Sequence, residues 1–408
     1  MVPDGWEKTK LGVLSRLITS GSRDWARYYS DSGSLFLRMT NLPRDGINLD
    51  LSSVKYVSVN QDSADGKRTK LKVNDILISI TAELGKIGFV ANDLGPAYIN
   101  QHTALVRIDP DCACPKYIAF ALSSYKLNRI INRLNDAGAK AGLNLPTIKA
   151  IPLVIPSIME QTKIAQILSI WDKAIETTEK LIENSKTQKK ALMQQLLTGK
   201  KRFPRFSKKW LSSKIGEVCL INPRKPKKPT NSRVSFVAMG SVSEDARLRY
   251  SEERQYGDVE KGFTSFRNND VLVAKITPCF ENGKGAYVEK LINGIGFGST
   301  EFHVIRAKKG VCSKFIYHLT NSFDFRVRGG ANMQGSAGQK RVPTDYLRSY
   351  KFNFPEEYKE QKMIADVLDA MDSLMEILSR EVRTLTNQKK ALMQQLLTGK
   401  RRVKLDKR

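Results

Sequence analysis

Two stretches of the chain carry apolar residues at alternating spacings of four and three, the heptad pattern of helices that pair lengthwise. They lie two hundred residues apart and fall in the same register. Gly199 and Gly399 follow them, where a left-handed helix stop is expected. The pattern predicts two long helices, each of about 40 residues and about 60 Å. The seam positions are Ile164, Leu168, Trp171, Ile175, Thr178, Ile182, Ser185, Lys189, Leu192 and Leu196, and then Ile364, Leu368, Met371, Met375, Leu378, Val382, Leu385, Lys389, Leu392 and Leu396.

The two stretches end identically, because QKKALMQQLLTGK occupies both Gln188–Lys200 and Gln388–Lys400. The chain therefore consists of two copies of one unit. The exposed face of a helix is normally specified loosely, yet here it matches as well as the buried face. Either both copies contact the same partner surface, or the duplication is recent, and both explanations stay open. The first makes six outward-facing residues candidates for partner contacts: Gln188, Lys190, Gln194, Gln388, Lys390 and Gln394.

The order of the chain favours pairing between the two helices. The first helix would leave one domain and end at the next, and the second helix would then need a partner for its own seam. The simplest partner is the first helix, packed antiparallel through the apolar seam positions, which gives a pseudo-two-fold repeat. Pairing of each helix with another protein is the alternative.

Outside the long helices, each half predicts short strands and a few helices, so the fold class is α+β. Asn74-Asp75 and Asn269-Asp270 each precede an apolar run, as expected of a tight turn that starts a strand. Helical spacing begins at Pro115 and at Ser313. These matched pieces predict that two similar α+β domains alternate with the two long helices.

Glycine and polar clusters predict where the chain is irregular. The predicted loops are Gly21–Asp31, Asp136–Asn144 and Gly329–Gln339. The predicted division is a first domain at 1–155, a long helix at 156–200, a second domain at 201–354, a second long helix at 355–400 and a basic tail at 401–408.

The net charge of +27 indicates a polyanion as partner, because so large a basic excess most often accompanies nucleic-acid binding. A membrane surface is the weaker alternative, since no segment combines a basic face with a strongly apolar one. No apolar run approaches the roughly 18 residues of a membrane span, and no signal sequence is recognised. The five cysteines form no CxxC pair or paired framework, so we expect a reduced, cytoplasmic protein without zinc or disulfides.

The sequence lacks the motifs of a catalytic site. An adenine methyltransferase needs an Asn/Asp-Pro-Pro-aromatic motif, which is absent, and a glycine-rich cofactor loop, which Gly294–Gly298 only mimics. A turn is the preferred interpretation of that stretch. His102, His303 and His318 lack the context of a triad or a metal site. We therefore expect no catalysis by this chain alone, no cofactor and no metal.

Matching pieces fall along essentially the whole chain, in order and twice. They are NDILISITAELGKIG, the glycine-rich loop before IPLVIP, the helix starts MEQTKIAQIL and KEQKMIADVL, and both KKALMQQLLTGK endings. With them the chain resembles HsdS, the specificity subunit of type I restriction-modification systems. The resemblance implies two target-recognition domains, each reading half of a split double-stranded DNA site. It also implies that the paired helices fix the gap and dock two methyltransferase subunits, which a motor-nuclease subunit can join.

Base readers need Arg, Lys, Asn or Gln on loops that enter a groove. For each candidate, a polar side chain that only faces solvent is an equally good explanation. The unlike loops of the two halves predict an asymmetric bipartite site. The candidates are Arg23, Arg27, Tyr28, Asn41, Lys86, Gln101 and Lys140 in the first domain, and Arg224, Lys225, Arg233, Lys284, Thr300, Gln334 and Gln339 in the second.

The run Lys200–Lys228 holds eleven basic residues against one acid, Glu217. Such a run is typical of a strip that faces solvent or phosphate.

Two other functions stay open: a fused restriction-modification protein that has lost or hidden its catalytic part, and a coiled-coil scaffold without DNA specificity. The missing motifs argue against the first, and the charge and the two elaborate domains argue against the second.

Overall fold

The structure is a computed structural model, and it describes residues 2–21, 25–134, 142–336 and 338–405. The chain divides into two compact units. Unit 1 comprises Met1–Thr178 and Glu381–Arg408, and unit 2 comprises Glu179–Arg380. Each unit mixes short strands with helices and contains part of both long helices. The predicted α+β fold with an internal repeat is confirmed.

Unit 1 is built from short strands and short helices that precede the first long helix. Its strands are β1 (Glu7–Lys10), β2 (Ser15–Ser20), β3 (Tyr29–Ser30), β4 (Ser34–Leu37), β5 (Lys55–Val57), β6 (Ile76–Ser79), β7 (Ile87–Phe89), β8 (Ala97–Ile99), β9 (Thr103–Ile108) and β10 (Pro152–Ile155). Its helices are α1 (Ala64–Thr69), α2 (Pro115–Ser123), α3 (Tyr125–Arg133), α4 (Leu145–Lys149) and the long α5 (Ile158–Leu196), which continues into unit 2.

Two four-stranded sheets and one strand pair organise unit 1. The order β2-β9-β6-β7 is antiparallel throughout, whereas β3-β5-β4-β8 includes the parallel pair β4-β8. Strand β1 pairs antiparallel with β10, directly before α5. The buried side chains of β6 and β9 pack in one core with α2 and with Ile164 and Leu168 of α5. The sheet and the long helix of unit 1 therefore share one hydrophobic core.

Unit 2 repeats this plan with different loops. Its strands are β11 (Leu211–Lys214), β12 (Cys219–Ile221), β13 (Arg233–Val237), β14 (Glu252–Gln255), β15 (Thr264–Arg267), β16 (Val271–Ala274), β17 (Gly285–Tyr287), β18 (Ile295–Gly298), β19 (Phe302–Ala307) and β20 (Lys351–Phe354). Its helices are α6 (Ile215–Val218), α7 (Tyr256–Val259), α8 (Ser313–Thr320), α9 (Phe323–Ala331), α10 (Thr344–Ser349) and the long α11 (Tyr358–Leu396), which continues into unit 1.

The sheets of unit 2 correspond to those of unit 1. The order β12-β19-β16-β17 is antiparallel, β14-β13-β18-β15 includes the parallel pair β13-β18, and β11 pairs with β20. Ile364 and Leu368 of α11 join the core beneath α8, as Ile164 and Leu168 do in unit 1. The same start of a long helix is therefore anchored in each unit.

The Asn-Asp turns start the central strands as expected, for a specific reason. Asn74 and Asn269 adopt left-handed backbone angles, with φ of 73° and 71°, which asparagine tolerates better than most residues. The carboxylate of the following aspartate accepts a hydrogen bond from a backbone N–H three residues earlier. Asp75 and Asp270 are also buried and bind an arginine of β9 or β19.

Each long helix has 39 residues, and its predicted seam positions are all buried or half-buried. Within unit 1, Lys389 of α11 pairs with Asp172 of α5, and Arg402 pairs with Glu160. Positions farther along one helix thus pair with positions nearer the start of the other, so the two segments are antiparallel. Within unit 2, Lys189 pairs with Asp372 and Arg202 pairs with Glu360 in the same manner. Antiparallel packing of the helices is therefore present in both units.

Several predicted loops contain regular structure. Residues Trp25–Tyr28 form a 3-10 turn that leads into β3 within the predicted loop Gly21–Asp31. The predicted loop Gly329–Gln339 begins inside α9, because that helix continues to Ala331. The interpretation of Gly294–Gly298 as a turn is wrong, because most of this stretch forms the buried strand β18. Of the short helices, the sequence predicts α2 and α8 and does not predict α1, α3, α4, α6, α7, α9 or α10.

No helix that the structure describes has both the length and the apolar character needed to cross a membrane.

Candidate nucleic-acid interface

Three loops of unit 1 meet at one place in the fold. Thr81, after β6, forms a backbone bridge with Gly142. The hydroxyl of Thr81 lies 2.7 Å from Nδ1 of His102, which follows β8. Nε2 of the same ring lies 3.1 Å from the side-chain amide of Gln101. The His102 ring therefore links Gln101, a predicted base reader, to Thr81, and Thr81 in turn contacts the loop of Gly142.

The corresponding loops of unit 2 meet around an ion pair that the sequence did not suggest. Arg341 forms backbone bridges with both Ile276 and Gln334. Its guanidinium binds Glu301 through Nε and Nη2, with N–O distances of 2.9 to 3.1 Å. The Arg341 hydrogen bonds hold the pKa of the Glu301 carboxyl below its usual value. The nearest sequence signal was the position of Arg341 beside the glycine-rich loop.

Three predicted readers of unit 2 lie on these loops. Thr300 precedes Glu301, Gln334 is the bridge partner of Arg341, and the carbonyl of Gln339 accepts a hydrogen bond from Arg341. All three are exposed. They therefore form one polar surface in unit 2.

Other predicted readers of unit 2 lie elsewhere. Lys284 is half-buried after the loop between β16 and β17. Arg233 begins β13 and forms an exposed ion pair with Glu253, with 3.0 Å between Nη1 and Oε1. Arg224 and Lys225 line a separate cleft. The structure thus does not bring all seven residues together.

The predicted readers of unit 1 have different surroundings. Arg27 is exposed, with its guanidinium 4.8 Å from the centre of the Tyr28 ring. Lys86 is held by Glu83. Asn41 is 2 % exposed, and its amide donates to the carbonyls of Asp50 and Ser53. Asn41 is therefore removed from the residues proposed to reach a base. Arg23 and Lys140 lie outside the described residues.

Part of the basic run Lys200–Lys228 faces the protein and not a phosphate. Arg202 binds the carboxylate of Glu360 through Nε and Nη2, at 2.9 and 2.8 Å. Glu360 is 1 % exposed, and the indole of Trp210 donates to it at 3.3 Å. The interpretation of the whole run as a phosphate-facing strip is therefore wrong at Arg202. This side chain instead fixes the start of α11.

The six candidate partner residues of the identical stretches are exposed. Among them, Lys390 forms an exposed ion pair with Asp45 at 3.2 Å. Large apolar side chains are also exposed on the long helices, with exposed fractions of 69 % at Ile170 and 60 % at Ile377. The outward faces of α5 and α11 therefore offer apolar as well as polar groups.

The buried histidines have structural partners. His303 donates from Nε2 to the carbonyl of Val342 at 2.8 Å, and burial lowers its pKa. His318 lies 2.8 Å from Asp369, and burial likewise lowers its pKa. Asp372 lies close to this pair. The two carboxylates are already bound by the cations Lys189, Lys314 and Arg247, so we do not assign a metal to this cluster.

With two similar units established, comparison with known proteins decides the family. The profile of the type I restriction modification DNA specificity domain matches residues 3–184 and again residues 207–387. The chain belongs to this specificity-domain family. Its two copies of the domain coincide with the internal repeat.

Proteins with similar sequences support the same family assignment. The EcoAI specificity subunit of a type I restriction enzyme from Escherichia coli is 34% identical over 190 residues, 46% of this chain and 32% of that protein. The chain thus matches about a third of that relative's length. The MjaX specificity subunit from Methanocaldococcus jannaschii is 26% identical over 426 residues, 99% of this chain and 95% of that protein.

Solved structures support the same fold. The S subunit of a type I restriction-modification system from M. genitalium aligns with a TM-score of 0.58 and 14% identity, over 97% of this chain and 99% of that chain. A chain from a study of complex assembly in a type I R-M system aligns with a TM-score of 0.56 and 13% identity, over 98% and 99%. The specificity-domain chain therefore shares its fold with these proteins.

Proposed function

We propose that the chain is the DNA-specificity subunit of a type I restriction-modification complex and that each unit reads one half of a bipartite site. The observation that carries this proposal is the doubled specificity domain, because each copy presents its own set of converging loops. The loop surfaces differ, with His102 and Gln101 in unit 1 and Arg341, Gln334 and Thr300 in unit 2. Unlike donors and acceptors select unlike bases, so the site is asymmetric.

The chain contributes recognition and not catalysis in this proposal. The partners are double-stranded DNA and two methyltransferase subunits on the long helices, with motor-nuclease subunits as further members. The exposed identical stretches support docking of like partners, since each offers the same Gln, Lys and Gln side chains. Because the substrate is DNA, we place the complex in the cytoplasm.

Expression of this gene together with its methyltransferase subunit should create a split adenine-methylation motif in genomic DNA. Sequencing of modified bases in cells with and without the gene measures this directly. Unchanged methylation, with the methyltransferase shown to be present and active, would favour a scaffold without DNA specificity.

Two single variants sharpen that experiment. Gln101→Ala should relax only the half-site read by unit 1, and Thr300→Ala only the other half. The loss of one good base contact corresponds to about 1–3 kcal/mol of discrimination. Relaxation of both halves by one variant would contradict the assignment of one unit to each half-site.

Insertion of one heptad into both α5 and α11 should change the gap of the methylation motif and leave both half-sites unchanged. Seven residues add about 10 Å to a helix and preserve the seam. The motif of the variant, compared with that of the parent, provides the measurement. A change in the recognised bases with an unchanged gap would refute the role of the helices as a spacer.

A further inference from the structure

Unit 2 contains a cleft whose charged lining is not used by the converging loops. It lies between α6 with β12 on one side and α10 on the other, and its volume is about 830 Å³. Among the lining residues that the structure describes, Glu217 is the acidic one. We call it the arginine cleft after its cationic side chains, which are Arg224, Lys225, Arg267, Arg306 and Arg348.

Two of these cations have carboxylate partners. Arg306 binds Asp270 through Nε and Nη2, both at 2.7 Å. Arg348 lies 3.5 Å from Asp345, and both side chains are exposed. An exposed pair of this kind contributes little and is easily exchanged for another anion. Arg306 is therefore neutralised, whereas Arg348 can still turn to a ligand.

Among the residues that the structure describes, the other three cations have no carboxylate partner. Lys225 donates to the backbone carbonyl of Glu260, a neutral acceptor. Arg224 and Arg267 are exposed and form no ion pair or side-chain hydrogen bond with any residue that the structure describes. The guanidinium groups of both are therefore available to an anion.

The acid of the cleft is occupied by local structure. The Glu217 carboxylate accepts hydrogen bonds from the backbone N–H of Lys214 at 2.7 Å and from the hydroxyl of Ser213 at 2.8 Å. It thereby caps the first turn of α6. Its single charge leaves the arginine cleft with a positive excess.

The equivalent position of unit 1 differs in both size and charge. A cleft of about 360 Å³ lies there, lined by Lys10, Arg16 and Lys149 among others. Arg16 is the extra residue at an irregularity in β2. Asp109 and Asp111 hold its guanidinium at 2.7 and 3.1 Å. The one arginine of this cleft is therefore already paired.

We propose that the arginine cleft binds backbone phosphates of DNA and adds sequence-independent affinity through unit 2 alone. Guanidinium groups bind phosphate oxygens in a two-pronged geometry, and contacts to phosphate position a protein without reading bases. The inference rests on the proposed function, because it takes DNA as the partner. It changes the role of Arg224 and Lys225 from base contact to phosphate contact.

The test uses the full chain assembled with its methyltransferase subunits. Arg224→Gln with Arg267→Gln should weaken binding to a duplex with the methylation motif and to a scrambled duplex by the same factor. The slope of log affinity against log salt should fall by about 0.9 for each lost phosphate contact. Arg16→Gln with Lys149→Gln removes the same number of charges from the unit 1 cleft and should leave the slope unchanged.

Four outcomes separate the possibilities. Weakening of the motif duplex alone, or an altered methylation motif, would make these residues base readers and overturn the inference. An unchanged salt slope would overturn it as well. Binding of millimolar inorganic phosphate that the double variant loses, while its affinity for DNA stays that of the parent, would assign the cleft to a small phosphate ligand instead. A parent complex without motif preference would overturn the proposed function, while the slope with scrambled DNA would still decide the cleft.

Discussion

Lys389→Met should destabilise the helix pair of unit 1 by about 3–5 kcal/mol, the expected cost of removing one partner from a buried ion pair. The Lys389 side chain is 7% exposed and Asp172 is 17% exposed. The ammonium also lies 5.1 Å from the centre of the Phe120 ring. Oδ2 of Asp172 is buried and has no hydrogen-bond partner among the described residues. The loss of Lys389 would remove the ammonium that pairs with this carboxylate.

Hydrogen exchange of the assembled full chain measures this effect locally, since each region opens with its own free energy. Peptides from 158–178 and 381–396 should exchange faster in the variant, and peptides from β13 and β18 should not. The control is Lys389→Met with Asp172→Leu, which replaces the pair by apolar side chains and should recover most of the lost stability. If the double variant were as unstable as the single one, the ion pair would not be the cause.

The period of apolar residues was sufficient to predict the long helices, because a seam of ten positions is a strong and local signal. It also placed Lys189 and Lys389 in the seam, where lysine is unusual. The aspartates that bind them, Asp372 and Asp172, lie outside the seam list. Their role depends on the antiparallel contact between segments about two hundred residues apart in the sequence, which no local pattern contains.

The helix α9 shows why a glycine pair misled the prediction. Gly329 and Gly330 suggested a loop, since glycine disfavours helix interiors by about 1 kcal/mol. In the structure a Cβ at Gly329 would lie 2.3 Å from the Phe280 ring. Glycine is therefore needed at this position for packing. The tertiary contact outweighs the local propensity, and only the fold reveals it.

The candidate DNA surface was partly predictable. The sequence correctly placed Gln101, Thr300 and Gln334 on polar loops, because these loops follow recognisable strands. It did not distinguish Asn41, whose amide is used by backbone carbonyls within the same loop region. It also missed Arg341, since its partner Glu301 lies 40 residues away. Convergence of loops is a property of sheet order and is absent from each loop's own sequence.

The glycines of β18 carry the second large effect. Phe266 of β15 stands opposite Gly296 and is fully buried. A Cβ at Gly296 would lie 2.1 Å from the Phe266 ring. In unit 1, Ala97 of β8 occupies the position of Gly296, because it pairs with β4 as Gly296 pairs with β13. Leu71 occupies the position of Phe266, because each lies three residues before the Asn-Asp turn of its unit. Unit 2 therefore combines a larger side chain, Phe266, with a smaller neighbour, Gly296.

Gly296→Ala should destabilise unit 2 by about 1–3 kcal/mol, because the buried ring must leave its position to admit one methyl group. Addition of Phe266→Leu, which reproduces the unit 1 combination, should recover part of that loss, so the two changes should be non-additive. Hydrogen exchange of β15 and β18 in the full chain measures both effects. Gly240→Ala is the matched control, since a Cβ there meets no atom of the described residues within 4 Å, and it should change stability by no more than about 0.5 kcal/mol. If the effects of Gly296→Ala and Phe266→Leu on stability were additive, the size of the Phe266 ring would not be the reason for glycine at position 296.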